Sequence, residues 1–287
     1  MNKPAAAAGE AWRHDFLASL IAELKDGQVE LPSWSKVTER ARTALARASI
    51  DNDELARLVS AEAGLAVRVL TVANSAFLIR GGRPLADLKL AIMRIGHDNL
   101  RSAIYSYALA QLRQAPRLKH LRTQLQQLWH ESTAVAALTR LIALRTASCD
   151  ADSALLAGLL HNIGKLYILA RLDDETATTV DQDAAAALLL AWHARIGGLV
   201  AANWQLGGQL CQAIGEQDIL DDAQSHQSSL GAALAAAVIG ANAVGSVAEA
   251  ATHLAAFARF EIDAGGWLAL LEQAHRESAA LRVTFGD

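Results

Sequence analysis

The stretch "ALLAGLLHNIGKLYIL", residues 154–169, is an apolar helical run with polar groups at its centre. Its spacing predicts a helix over residues 152–170, and His161, Asn162 and Lys165 break the apolar face of that helix. A metal-dependent hydrolase needs a histidine followed by a carboxylate in such a place, because anionic oxygens help to hold the ion. Here an amide follows the histidine, so the stretch is a working site, a site that has lost its function, or a helix with a polar patch.

The composition of the chain indicates a helical globular protein. Of its 287 residues, 52% are hydrophobic, 20% are charged and only four are prolines. Alanine and leucine dominate and few segments alternate with period two, which predicts an all-α fold with a substantial core. The formal net charge is −4, so the chain lacks the excess of basic residues that is typical of a nucleic-acid-binding protein.

The sequence also favours a cytoplasmic location. Cys149 and Cys211 lie far apart, which predicts unpaired thiols in a reducing compartment. The N-terminal residues carry early acidic side chains and do not resemble a signal peptide. Residues 227–248 are free of charge, but their alanine, glycine, serine and asparagine content predicts a buried core helix instead of a membrane span.

Helix boundaries follow from caps and chain breakers. Asp51 and Glu54 are spaced as a capping box, Gly64 and Gly96 predict joints between helices, and Pro116 predicts a boundary. Helical spacing covers residues 12–25, 37–48, 120–145, 152–170, 184–205, 207–215, 227–245 and 249–275, with further helices between residues 51 and 115.

Five stretches occur in an order that resembles one family. They are "LPSW" (31–34), "VLTVANSAF" (69–77), "LADLKLAIMRIGHDNLRSAI" (85–104), "LLAGLLHNIGKL" (155–166) and "WHARIGGLVAANWQL" (192–206). Together they resemble the HDOD domain, the bacterial "HD-related output domain" of signalling proteins, over roughly residues 15–250. One departure is that Glu62 and Ala63 stand where the family commonly has an Asp–Pro pair, which affects a helix junction more than chemistry.

The resemblance implies an all-α helical bundle of two subdomains, of which the C-terminal one is HD-like. No glycine- and serine-rich linker separates them, so we expect them to fold as one unit. The expected boundaries are a flexible N-terminus (1–14), an N-terminal subdomain (15–115), an HD-like subdomain (116–250) and a C-terminal helical extension packed on the domain (251–287).

The resemblance also implies where a metal would be held in an active HD relative: by an early histidine, by the His–Asp pair and by a later aspartate. Here Glu131 stands at the first position, and His130 is one residue away, which is about 100° around a helix. His161 is kept, whereas Asn162 and Asn242 replace the two carboxylates. A dication would lack compensating charge there, so we expect no metal, no cofactor and no catalysis. In the stretch where some relatives hold a second metal, this chain has Glu216 and Gln217.

Each candidate site residue can also be explained by a structural role. His161 is expected to hydrogen-bond to Asn162, Glu131 or a backbone carbonyl, and Asn162 and Asn242 are expected to pair with each other. Lys165 is expected either to extend its ammonium group to solvent or to meet an acidic partner such as Glu131. His193 and Trp204 are expected to line one wall of the core, and Asn74 and Ser75 to end a helix. The candidate vestigial pocket comprises Glu131, His161, Asn162, Lys165, His193 and Asn242.

Three functions are consistent with these residues. The first is a pseudoenzyme that acts as a signalling module through contacts with other signalling proteins, without binding nucleic acid or membrane. The second is a metal-dependent nucleotide phosphohydrolase with substituted ligands, of which Glu131 and His161 remain. The third is a sensor that binds a nucleotide or another small molecule without turning it over.

Overall fold

The alanine- and leucine-rich segments form helices throughout the computed structural model, which describes residues 3–26, 35–47, 50–75, 83–176, 182–218, 228–242 and 260–286. Over these residues the protein is all-α, as the sequence predicts. The helices are α1 (Lys3–Lys25), α2 (Lys36–Leu45), α3 (Asn52–Ser60), α4 (Ala63–Ala73), α5 (Leu88–Gln114), the 3₁₀-helix η1 (Pro116–Leu121), α6 (Arg122–Thr146), α7 (Ala151–Leu160), α8 (Ile163–Thr176), α9 (Gln182–Asn203), α10 (Gly208–Gly215), α11 (Ser229–Asn242) and α12 (Ala264–Phe285).

Helices α2–α5 form the N-terminal half of the protein, with α4 and α5 as its most closely packed pair. Helix α1 begins at Lys3, inside the segment 1–14 that was expected to be flexible, and packs on α9. Its buried side chains Phe16, Leu20 and Leu24 recur at helical spacing and place α1 against the core. The predicted break near Pro32 and the "RGG" part of the turn before Pro84 lie outside the described residues.

Two predicted helix boundaries in this half, at Asp51 and Gly96, are confirmed, and the one at Gly64 is corrected. Asp51 is the N-cap of α3, but its side chain makes no capping bond, and Glu54 instead pairs with Arg47 at 3.1 Å, so the capping box does not form. The joint predicted at Gly64 lies earlier, between the end of α3 and the start of α4. Gly96 has a φ of +72° inside α5, which confirms the predicted joint there.

Asn74 ends α4, as predicted, and its side chain also fixes the next segment. Its Nδ2 donates to the carbonyl oxygen of Leu85 and its Oδ1 accepts from the Leu85 amide, both at 2.7 Å. The side-chain amide of Asn74 thereby satisfies both the donor and the acceptor of the half-buried Leu85 backbone.

In the C-terminal half, the helix predicted over 152–170 is two helices. Helix α7 ends at Leu160 and α8 begins at Ile163, so His161 and Asn162 form the turn between them. Each helix is held close to a different neighbour by a glycine. A Cβ on Gly158 would lie 2.3 Å from the Cα of Ala136 in α6, and one on Gly164 would lie 1.9 Å from a carbonyl oxygen in α9.

Helix boundaries near the C-terminus also differ from the prediction. The last helix, predicted over 249–275, begins at Ala264, where Asp263 accepts a capping bond from the Gly266 amide, and it ends at Phe285. Residues 243–259 lie outside the described residues. The segment 171–183, predicted as a connection, is helical up to Thr176.

Two stretches, Ala151–Leu172 and Ala185–Asn203, are long and apolar enough to cross a membrane by length and composition alone. The most apolar 18-residue part of the first stretch is 89% buried inside the protein, and that of the second is 39% buried. Core helices of soluble proteins meet the same criterion of length and composition. In the described part of the stretch 227–248 lies the 14-residue helix α11, whose side chains are mostly buried, which confirms the prediction of a core helix there. Both cysteines are free and half-buried, and burial raises the pKa of each thiol.

Candidate functional site

The polar residues of the opening stretch lie at the turn between α7 and α8, against α6. His161 and Asn162 are almost completely buried, with 1% and 0% of their surface exposed. Because the turn is held between the glycine contacts of α7 with α6 and of α8 with α9, these two side chains enter the centre of the C-terminal half. Glu131 and Ser132 of α6 form the facing wall.

Glu131 is the carboxylate of this centre, and basic groups surround it. Its Oε1 lies 3.5 Å from Nζ of Lys165 and 3.7 Å from Nε2 of His161. Burial alone would raise the pKa of Glu131, but the contacts with His161 and Lys165 outweigh burial and lower that pKa to about 2. The contact predicted between Lys165 and Glu131 is therefore present, and the carboxylate is ionised and already paired.

His161 is held by a backbone carbonyl, one of the partners that the sequence predicted. Its Nδ1 lies 2.7 Å from the carbonyl oxygen of Gly158, a distance at which Nδ1–H donates. Its other ring nitrogen, Nε2, faces Oε1 of Glu131 at 3.7 Å, which is longer than a hydrogen bond. That atom is buried and has no hydrogen-bond partner within the described part of the chain.

The predicted pairing of Asn162 with Asn242 is wrong. The Nδ2 of Asn162 faces Ser132 at 3.5 Å, and its Oδ1 is buried without a hydrogen-bond partner among the described residues. Asn242 is the exposed last residue of α11. The turn directs Asn162 toward α6, whereas the end of α11 leaves Asn242 at the surface, so Asn242 is not part of the buried centre.

Gln217, which the sequence indicated only as a substitute in a second metal pair, belongs to this centre. Its Nε2 donates to the carbonyl oxygens of His161, at 2.9 Å, and of Ile214, at 3.0 Å. The side chain is 1% exposed, and its Oε1 is buried without a partner within the described ranges. Gln217 thereby joins the end of α10 to the turn between α7 and α8.

His193 lies beside this centre and is held in the same way as His161. Its Nδ1 lies 3.0 Å from the Leu189 carbonyl oxygen and its Nε2 lies 3.5 Å from Asp218. Burial lowers the pKa of His193, against the opposing effect of Asp218, so the ring is neutral at neutral pH. Trp204 directly follows the end of α9, about three turns beyond His193 and on nearly the same side of the helix. It is buried like His193, and its ring stacks on that of Tyr105 at 5.1 Å.

His130 faces away from the centre, as its position one residue before Glu131 predicts. Its side chain is exposed, and its Nε2 lies 3.0 Å from the side-chain nitrogen of Gln126. His130 therefore cannot take the place of the missing first histidine.

The donors around Glu131 do not fit a divalent metal of the HD type. Among the described residues, no group of three or more histidine, cysteine, aspartate or glutamate side chains could hold a metal ion. One carboxylate and one imidazole remain, and the carboxylate is paired with Lys165. The unpartnered oxygens of Asn162 and Gln217 are neutral, so they supply no negative charge to offset a dication.

This all-α architecture, with a histidine turn against a long helix, defines a protein of the HD-like class. The chain belongs to the HDOD domain family, whose model matches residues 31–220. That match falls within the predicted domain of residues 15–250. No curated protein matches the chain at a significant level.

Solved structures share the fold. A candidate metal-dependent phosphohydrolase from Shewanella amazonensis SB2B has a TM-score of 0.70 at 22% identity, covering 93% of this chain and 98% of its own. An HDOD domain protein with unknown function from Geobacter sulfurreducens has a TM-score of 0.53 at 27% identity, covering 77% and 76%. A candidate signal transduction protein from Marinobacter aquaeolei VT8 has a TM-score of 0.61 at 17% identity, covering 96% and 65%.

Proposed function

We propose that this protein is a non-catalytic signalling module that works through contacts with other signalling proteins. The observation that carries the proposal is the state of Glu131, which is paired with Lys165 and lies beside His161 while neutral amides occupy the neighbouring acceptor positions. Phosphoryl hydrolysis of the HD type needs a bound dication to activate water and to stabilise charge on the phosphoryl oxygens. The side chains present lack the anionic charge that such an ion requires.

Membership of the HDOD family supports the proposal, and the Marinobacter aquaeolei structure is described as a candidate signal transduction protein. The Shewanella amazonensis structure is instead described as a candidate metal-dependent phosphohydrolase. The buried Nε2 of His161, which has no hydrogen-bond partner among the described residues, favours this second function, because a histidine ligand presents such a nitrogen. The two functions differ in whether His161 binds metal.

Metal analysis of the purified protein separates them. We expect manganese, iron and zinc contents well below one ion per chain, the same in the wild type and in His161→Ala, and no hydrolysis of bis-p-nitrophenyl phosphate with added Mn²⁺. His130→Ala is the matched control, because His130 is exposed one residue before Glu131. One ion per chain that is lost in His161→Ala and kept in His130→Ala would establish the hydrolase instead.

We further propose a cytoplasmic location and a protein partner, with no nucleic acid or membrane bound. Affinity capture from cells that make the protein, followed by reconstitution with the purified partner, tests the contact. A nucleotide sensor is tested by thermal unfolding with cyclic dinucleotides, because a ligand that binds only the folded state raises the Tm. An unchanged Tm with every nucleotide tested excludes the sensor.

A further inference from the structure

The last turn of α12 is held by groups from the other half of the protein. Leu281 and Phe285 are fully buried, whereas Val283 between them is 75% exposed. The Nη1 of Arg68 donates to the Thr284 carbonyl oxygen at 3.0 Å, and Arg113 donates to the carbonyl oxygen of the glycine that follows Phe285. The turn is therefore anchored both by apolar burial and by two guanidinium groups.

These two arginines connect α12 with the N-terminal half. Arg68 lies on α4 and Arg113 on α5, while α12 packs mainly on α6. Arg113 is buried, and its guanidinium lies 4.5 Å from the ring centre of Trp129 on α6. The carbonyls at a helix C-terminus lack partners within the helix and carry partial negative charge, so cationic donors stabilise them. One turn of α12 thus bridges three helices from both halves.

Gly286 makes this bridge possible. Its φ of +99° lies in the left-handed region, which favours glycine. A Cβ at this position would lie 2.0 Å from Nη2 of Arg68, so a larger residue would displace the guanidinium. The left-handed backbone conformation therefore favours glycine at the end of α12, and the guanidinium of Arg68 occupies the space that a Cβ would fill.

We propose that residues 284–286 form a releasable latch that joins the N-terminal half to the C-terminal half. Release transfers two charge-assisted hydrogen bonds to water and exposes one large apolar side chain, Phe285. The earlier buried residues of α12, such as Trp267 and Leu270, stay packed on the core. Opening of the latch is therefore a local event that costs less free energy than global unfolding. The closed and open forms of the latch give a signalling protein two states that differ at the contact between its two halves.

Amide hydrogen exchange on the full chain tests the latch. We expect the amides of residues 284–286 to exchange at least about tenfold faster than the central amides of α6, because the latch opens without global unfolding. Arg68→Gln removes one charged donor and speeds exchange of residues 284–286 by about a further tenfold, with faster exchange also in α4. Val283→Ala is the matched control, because it changes an exposed side chain in the same turn and leaves both rates unchanged.

Equal exchange of residues 284–286 and α6 in the wild type would overturn the proposal, because the latch would then open only by global unfolding. An effect of Val283→Ala as large as that of Arg68→Gln would overturn it as well. If Arg68→Gln does not fold, the comparison of amide exchange in the latch and in α6 of the wild type still tests the proposal. Neither result depends on the metal content of the centre, so the latch and the proposed function are tested separately.

Discussion

Two half-buried carboxylates, Glu62 and Glu131, stand where the chain departs from its family's pattern, and their surroundings differ. Glu62 lies between α3 and α4, and its Oε1 accepts from the Tyr107 hydroxyl at 2.7 Å and from Gln111 at 3.0 Å. Its Oε2 accepts from Ser35, the N-cap of α2. Neutral donors therefore satisfy both oxygens, and one side chain joins α2, α4 and α5.

Glu131 is instead surrounded by basic groups, and the polar atoms near it are only partly satisfied. Lys165 and His161 lie within 3.7 Å of one oxygen. The side-chain oxygens of Asn162 and Gln217 are buried without partners in the described part of the chain. Native proteins rarely keep such atoms without cause. This difference indicates that Glu62 has a structural role where α2, α4 and α5 meet. Glu131 instead lies among residues that are arranged as in a functional site.

The same substitution in the two regions should have very different costs. Gly164→Ala places a Cβ 1.9 Å from the His193 carbonyl oxygen, so α8 and α9 must separate, and we expect a loss of more than about 3 kcal/mol. Gly64→Ala meets the Tyr107 hydroxyl at 2.5 Å, the movable end of a side chain, and should cost only about 1 kcal/mol. Urea unfolding measures the loss of stability in both variants. Equal losses would show that the region around Glu131 is no more rigid than the region around Glu62.

Restoring a carboxylate tests whether the Glu131 centre tolerates more negative charge. Asn162→Asp should lower the free energy of unfolding by about 3 kcal/mol at pH 7, because a second buried anion beside Glu131 has no compensating cation. Asn242→Asp is the matched control at the exposed end of α11, and it should cost less than about 0.5 kcal/mol. A stable Asn162→Asp variant would show that the centre accommodates a second acid.

Glu131→Gln tests the charge pairing itself. We expect a loss of about 2 kcal/mol at pH 7, because Lys165 and His161 lose their anionic partner. The folded-state pKa of Glu131, about 2, lies below its usual value of 4.5. Its stabilisation is therefore present above pH 4.5 and is lost as the pH falls toward 2. Urea unfolding should show the two proteins converging over that range; a constant difference would contradict the pairing.

Tyr107→Phe gives the smallest effect and concerns the Glu62 junction. Removing one neutral donor while Gln111 remains should cost about 1 kcal/mol. Burial and the bond to Glu62 raise the pKa of Tyr107 to about 12, above its usual 10. The tyrosine's contribution is therefore present below pH 10 and is lost as the pH rises through 12. The variant should lose less stability than the wild type over that range in alkaline unfolding.

Local sequence patterns were enough to predict the fold class and several details of the structure. Alanine and leucine content with helical spacing established the all-α fold, Gly96 established a joint, and the one-residue offset of His130 placed it outside the centre. The contact between Lys165 and Glu131 was also predicted, because the family resemblance placed these oppositely charged residues at one site. These features depend on neighbours in sequence or on simple charge pairing.

Only the tertiary structure decided which distant groups meet. It split the central helix at His161, brought Gln217 to the carbonyl of that residue and left Asn242 at the surface. Hydrophobic periodicity tells which face of a helix is buried, but not the direction in which the helix leaves a turn. That direction depends on close backbone contacts at Gly158 and Gly164, whose partners lie on other helices.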